Sequence, residues 1–127
     1  MKSREDVENL EKVIGQLQGA HAEISQLAKK SPNDSLNKFK LNLINKVLER
    51  ANAVLGDKYR PFPDFGQFDA DDVPTTSDVT MVLAQYMEET ERYRSDNVKY
   101  HGGAWYYVVK GQPSDIRSAQ PSKVGRK

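Results

Sequence analysis

The chain has no cysteine. That excludes a disulfide framework and thiolate chemistry, and it fits a reducing compartment. Nor is there any apolar run near the ~18 residues that a membrane-spanning helix needs. The charged start MKSREDVENLEK does not read as a secretory signal, so the expected location is the cytoplasm, with no membrane partner. An excess of one charge is missing too. With 19 basic and 18 acidic residues the net charge is +1, which gives no global attraction for DNA, RNA or a lipid surface. There is no glycine-rich phosphate loop, and no nucleophile is paired with a base. Apolar residues make up 37% of the 127, and charged residues 29%. One domain of this length builds a modest core. A chain this polar is either elongated or completes its core against a copy of itself.

What charge there is lies unevenly. Residues 1–60 carry eleven basic and eight acidic groups, residues 61–97 two and nine, and residues 98–127 six and one. An acidic middle between basic ends reads either as self-complementarity, within a chain or between chains, or as solvated faces.

Hydrophobic spacing gives the first elements. Leu10, Ile14, Leu17, His21, Ile24 and Ala28 step by fours and threes, with Val13 beside them, which predicts a helix. His21 sits on that stripe as a packed or interface histidine. Pro32 in SPND breaks the helix, and Asp34 or Ser35 is placed to cap the next one. Leu36, Phe39, Leu43, Ile44, Val47, Leu48, Ala51, Val54 and Leu55 then form one strong face that Gly56 ends. Two antiparallel helices are expected over residues 1–56.

Residues 57–78 show no clean period. Three prolines, Tyr59, Phe62, Phe65 and Phe68 predict an ordered loop that buries its aromatics. DADD lacks the spacing, glycine turn and closing glutamate of a calcium loop, so neither a metal nor a cofactor is expected. Ser77 is placed to cap a third helix over about 78–98, whose face runs Val79, Val82, Leu83, Tyr86, Thr90, Tyr93 and Asn97. HGG is a turn. AWYYVVKG is a strand, and GQPSDIRS a second strand or return loop. The whole reads as an α+β single domain, residues 1–127, with a helical pair, an ordered loop, a third helix and a small C-terminal β-hairpin. Residues 57–120 carry the ligand site, and 121–127 form a flexible tail.

Residues 93–117 combine Tyr93, Tyr100, Trp105, Tyr106 and Tyr107 with Arg94, Asn97, His101, Asp115 and Arg117. A nucleobase needs a flat aromatic partner. An asparagine amide matches the edge of adenine, and a guanidinium fork fits phosphate. Tyr86, Tyr93 and Asn97 share one side of the third helix. Arg117 or Arg94 can supply the fork, and Asp115 can accept ribose hydroxyls or fix Arg117. The plainer alternative has Trp105 and Tyr106 covering a core and Asp115 pairing with Arg117 at the surface. His101 is the one general acid–base candidate, and no catalytic constellation surrounds it.

The pieces VLERANAVLGDKYRPFPDFGQFDADDVPTTSDVTMVLAQYMEETERYRSDN and WYYVVKGQPSDIR, from Val47 to Arg117, resemble the phage anti-Thoeris sponge family, the first-described Thoeris anti-defence proteins. The resemblance implies a binding protein rather than an enzyme, acting in the cytoplasm of an infected bacterial host. Such proteins capture cyclic ADP-ribose isomers made by TIR-domain sensors. Some also hold cyclic di- or trinucleotides of CBASS defence at separate sites. It implies homodimers, in several cases hexamers built as trimers of dimers, with the nucleotide pocket at a subunit interface. Carried onto this chain, it makes Tyr86 or Tyr93 the adenine stack, with Met87 adjoining where relatives carry Phe on this helix face. It makes Asn97 a polar contact and Arg117 the phosphate contact, and it points to Lys58 and Arg60 for a second nucleotide site. The rival readings are a protein–protein interaction module using the acidic Asp64–Asp72 loop and a small nucleotide-processing enzyme using His101.

Overall fold

The computed structural model describes residues 1–122. Three helices lead into a three-stranded antiparallel sheet, so the protein is α+β. The tail expected from residue 121 lies outside the described residues from residue 123 on. Helix α1 (Arg4–Lys30) starts at Ser3, whose hydroxyl accepts from Asp6 N at 3.2 Å. Glu5 and Asp6 sit in its first turn and Lys29 and Lys30 in its last, which suits the helix dipole. Val7, Leu10, Val13, Leu17 and Ile24 are buried along one stripe, while His21 is only half-buried.

Helix α2 (Lys38–Tyr59) is capped by Asn37, which accepts from Lys40 N at 2.8 Å. The expected caps Asp34 and Ser35 have other work. Asp34 O accepts from Thr76 N, and Ser35 pairs with Thr75, tying the α1–α2 turn to the start of the third helix. Gly56, at φ 64°, breaks the helix as expected, and one more turn runs on to Tyr59. The buried stripe is Leu41, Ile44, Leu48, Ala51, Leu55 and Tyr59. Phe39 and Leu43 belong to the expected apolar face, yet they are 72% and 47% exposed. The face is wider than its partners within the chain can cover.

The loop after α2 is ordered by aromatics and by amides. Phe62, Phe65 and Phe68 meet edge to face in sequence. Asn45 bonds to Phe68 through both amide atoms, donating to its O at 2.9 Å and accepting from its N at 2.8 Å. A 3₁₀ turn (Ala70–Asp72) ends the loop. Helix α3 (Thr76–Asp96) is capped by Thr75 rather than Ser77. Thr75 and Asp78 bond reciprocally in a capping box, which satisfies two free N–H groups at once.

The expected hairpin is a three-stranded meander. Residues Val98–His101, read from sequence as helix end and turn, form β1 against β2 (Ala104–Val109), and β3 (Gln112–Ser118) pairs on the far side of β2. Asn97 stops the helix two residues early, and its O accepts from Val108 N at 2.7 Å. Both connections are two-residue turns with positive φ throughout, Gly102–Gly103 and Lys110–Gly111, the geometry that matches the twist of paired strands. On β3 the four-residue step from Pro113 to Arg117 faces the two-residue step from Val108 to Tyr106, so β3 bulges opposite Tyr107.

Two cores result. One fills the three-helix bundle, and the other packs Tyr107, Val98 and Ile116 against Val7 and Leu10 of α1. Tyr93 and Val54 touch both. Among the described residues no helix is long and apolar enough to cross a membrane.

Candidate functional site

At the seam of the two cores the Tyr93 ring stacks on Tyr59, with centroids 4.9 Å apart and planes 15° from parallel. The Tyr59 hydroxyl donates to Asp96 Oδ2 at 2.7 Å, and Lys58 Nζ lies 5.2 Å from the centre of the Tyr59 ring. Asn97 Nδ2 donates back to Tyr93 O at 2.8 Å, while its Oδ1 accepts from Met1 N at 3.3 Å. Tyr93 lines a cleft of about 490 Å³ with Lys2, Asp6, Asn9, Ala53 and Val54. That volume is within the ~300–1,000 Å³ typical of small-molecule sites. Burial raises the Tyr93 phenol above its ordinary value, and the Asp6 carboxylate pushes the same way. Tyr93 therefore stays a neutral hydrogen-bond donor at neutral pH.

The cleft offers four chemistries side by side: an aromatic ring, a carboxylate, an amide and an ammonium, over an apolar floor. This set suits a nucleotide, whose base stacks, whose diol binds a carboxylate and whose phosphate seeks a cation.

The other expected site residues are distributed differently. Tyr86 is fully buried, and its hydroxyl donates to Asn52 Oδ1 at 2.8 Å. Burial raises its phenol, with Asn52 and Arg60 opposing. It is a core pillar and presents no ring face to a ligand. Met87 is half-buried against the helical core. Arg60 turns into the aromatic loop, where Nη2 donates to Phe65 O at 2.8 Å. It is thus occupied in fastening that loop, and Lys58 of the proposed second pair lies against the Tyr59 ring and does not line the cleft.

Arg94, the alternative phosphate fork, is 8% exposed. Its guanidinium binds Glu91 through Nε and Nη2 at 2.7 and 2.6 Å, and reaches Ser118, Ala119 O and Gln120 O. It clasps the end of β3 to α3. Asp115 pairs with Arg4 at 2.6 Å rather than with Arg117. It lies in the bulged stretch of β3, between the paired Pro113 and Arg117. Trp105 is half-buried and meets Tyr100 edge to face at 5.6 Å. His101 is exposed at the end of β1, opposite Ala104.

Strand alternation fixes the place of Arg117. Tyr107 points into the core, so Tyr106 points out. Lys99 and Arg117 are its cross-strand partners, and the Arg117 guanidinium lies 5.9 Å from the Tyr106 ring centre. The structure thus brings together Tyr93 and Asn97, leaves Lys58 against Tyr59, and places Arg117 on the opposite face of the sheet.

Lys2, Asp6 and Asn9 were not singled out from sequence. Asp6 and Asn9 are three residues apart on the first helix, which was the available signal, while Lys2 precedes the helix cap and gave none. The apolar stripe read there began at Leu10 and so also missed buried Val7. No family model matches the chain, and no curated protein or solved structure matches it.

Proposed function

We propose that this protein is a sponge for cyclic ADP-ribose-type signalling nucleotides. It binds them at the Tyr93 cleft and holds them without bond cleavage, so that a Thoeris effector is denied its signal. The observation that carries this reading is the Tyr93 ring, braced by its stack on Tyr59 and lining a nucleoside-sized cleft beside Asp6 and Asn9. A braced ring is preorganised, and preorganisation is what a small ligand needs to reach the ~12 kcal/mol of a nanomolar complex. The resemblance of Val47–Arg117 to anti-Thoeris sponges points to the same ligand class.

One chain leaves the cleft open. Arg117 acts on a ligand there only when it comes from a second copy, as a pocket shared between subunits requires. Phe39 and Leu43, exposed one turn apart on α2, favour such self-association, as a homodimer or as the hexamer of the resembling family. Cyclic di- or trinucleotides of CBASS are a second cargo of that reading, with Lys58 as the remaining candidate contact.

The test is incubation with a cyclic ADP-ribose isomer, removal of free ligand, heat release and mass spectrometry. Recovery of intact ligand supports sequestration. A converted product makes the protein a nucleotide-processing enzyme, with His101 the first residue to replace. No uptake favours the interaction module built on the acidic loop.

A further inference from the structure

The Tyr93 cleft does not end at Asn9. A second cleft of about 290 Å³ is lined by Asn9, Ala53 and Val54 as well, together with Lys12, Val13 and Arg50. Three shared residues make the two clefts one groove along the α1–α2 seam. Its composition changes along its length. Tyr93, Lys2 and Asp6 mark one end, the Asn9 amide and the small Ala53 and Val54 side chains the middle, and the cations Lys12 and Arg50 the other end.

Helix geometry sets this order. Asp6, Asn9 and Lys12 follow at three-residue steps on α1, and a rise of ~1.5 Å per residue spreads them over roughly 9 Å. Arg50 stands one turn before Ala53 and Val54 on α2, so both helices aim a cation at the same stretch. Both side chains are exposed, and among the described residues neither is held in an ion pair. Arg94, by contrast, is fully engaged by Glu91 and the end of β3.

We propose that Arg50 and Lys12 form a pyrophosphate subsite, continuous with the Tyr93 cleft. A guanidinium fork binds two phosphate oxygens at fixed geometry, and an ammonium adds a point charge. The occupant is the diphosphate of an adenine nucleotide whose base lies at Tyr93 and whose ribose lies between, near Asp6 and Asn9. The assignment of the base rests on the function proposed above. The anion subsite stands on the groove and its cations alone.

The experiment uses the full chain and two probes, inorganic pyrophosphate and a cyclic ADP-ribose isomer. Binding is followed by calorimetry and by amide shifts of Asn9, Lys12 and Val54. Saturable pyrophosphate binding is expected. It should weaken at least tenfold in Lys12→Ala/Arg50→Ala and stay unchanged in Lys99→Ala, which removes an exposed cation from the outer face of the sheet. Arg50→Lys should lose part of it, since charge remains without the fork. The absence of saturable pyrophosphate binding, or equal binding by the double variant, overturns the subsite. Cyclic ADP-ribose held equally by wild type and double variant also overturns it, while leaving the sponge reading intact. If wild type takes up pyrophosphate through these cations but no cyclic ADP-ribose, the subsite stands and the sponge reading falls.

Discussion

Tyr93 lies nearly flat on Tyr59, with ring centres 4.9 Å apart. The pair joins the end of α2 to the last turns of α3, and the Tyr59–Asp96 hydrogen bond of 2.7 Å fixes its tilt. A base stacked here would meet a ring that has little freedom left to lose.

Tyr93→Leu should therefore weaken binding of a cyclic ADP-ribose isomer by ~1–3 kcal/mol, the worth of one base–aromatic stack. Tyr93→Phe should bind nearly as wild type. Calorimetric titration of both variants checks this. Equal loss in the two would assign the effect to the hydroxyl instead of the ring.

Arg117→Ala should lower affinity for the same ligand more than tenfold while leaving the melting temperature and native mass unchanged. The residue is exposed on the outer face of the sheet, beside Tyr106. Unfolding of the variant would show a structural role.

Phe39→Asp should reduce the native mass measured by light scattering to that of a single folded chain. The side chain is 72% exposed, so a charge there costs the chain's own fold little. A wild type that is already a clean monomer at micromolar concentration would refute the shared pocket.

Stability should fall in acid through Glu91. Burial pushes its carboxyl up, but the hydrogen bonds and charge of Arg94 and the Ser122 amide outweigh this and hold it below the ordinary 4.5. A depressed folded-state value means that the unfolded chain binds the proton more readily. The contribution is thus complete above the ordinary carboxylate value and lost as pH falls through the folded one. Thermal melts at pH 7 and pH 3 should differ more for wild type than for Glu91→Gln. Arg94→Met, which strands Glu91, should cost about 2 kcal/mol at pH 7, less than a fully buried pair because Glu91 is 26% exposed.

Asn45→Ala should loosen the aromatic loop. It removes two hydrogen bonds to the Phe68 backbone, for a loss of roughly 1–2 kcal/mol. Amide exchange at Phe68 would rise with it, and an unchanged exchange rate would show that the phenylalanines hold the loop unaided.

The helices were legible because their stripes are long and regular. Their first residues were harder. Thr75 outranks Ser77 through its reciprocal bond with Asp78, and Asn37 is the cap because the Asp34–Ser35 backbone is held by Thr76 and Thr75, about 40 residues away, so that α2 starts only at Lys38. β1 was missed because Val98–His101 continues a helical phase and has only four residues, and only the pairing with β2 makes it a strand. The nearness of Tyr93 and Asn97 could be read from one helix. The faces of Tyr86 and Arg117 could not. A tyrosine on an apolar stripe suits both core and ligand, and the outward aim of Arg117 depends on which side of β2 meets α1.

The bulge in β3 bears on how copies of this chain can meet. A three-stranded sheet has two open margins where another strand could add its backbone. Here one margin belongs to β1, only four residues long. The other belongs to β3, where Pro113 has no N–H to offer and the doubled step after it throws the ladder out of phase. Neither margin presents a long straight row of donors and acceptors. Fibril-like stacking of sheets is thereby discouraged, and closed assemblies must be cemented by side chains.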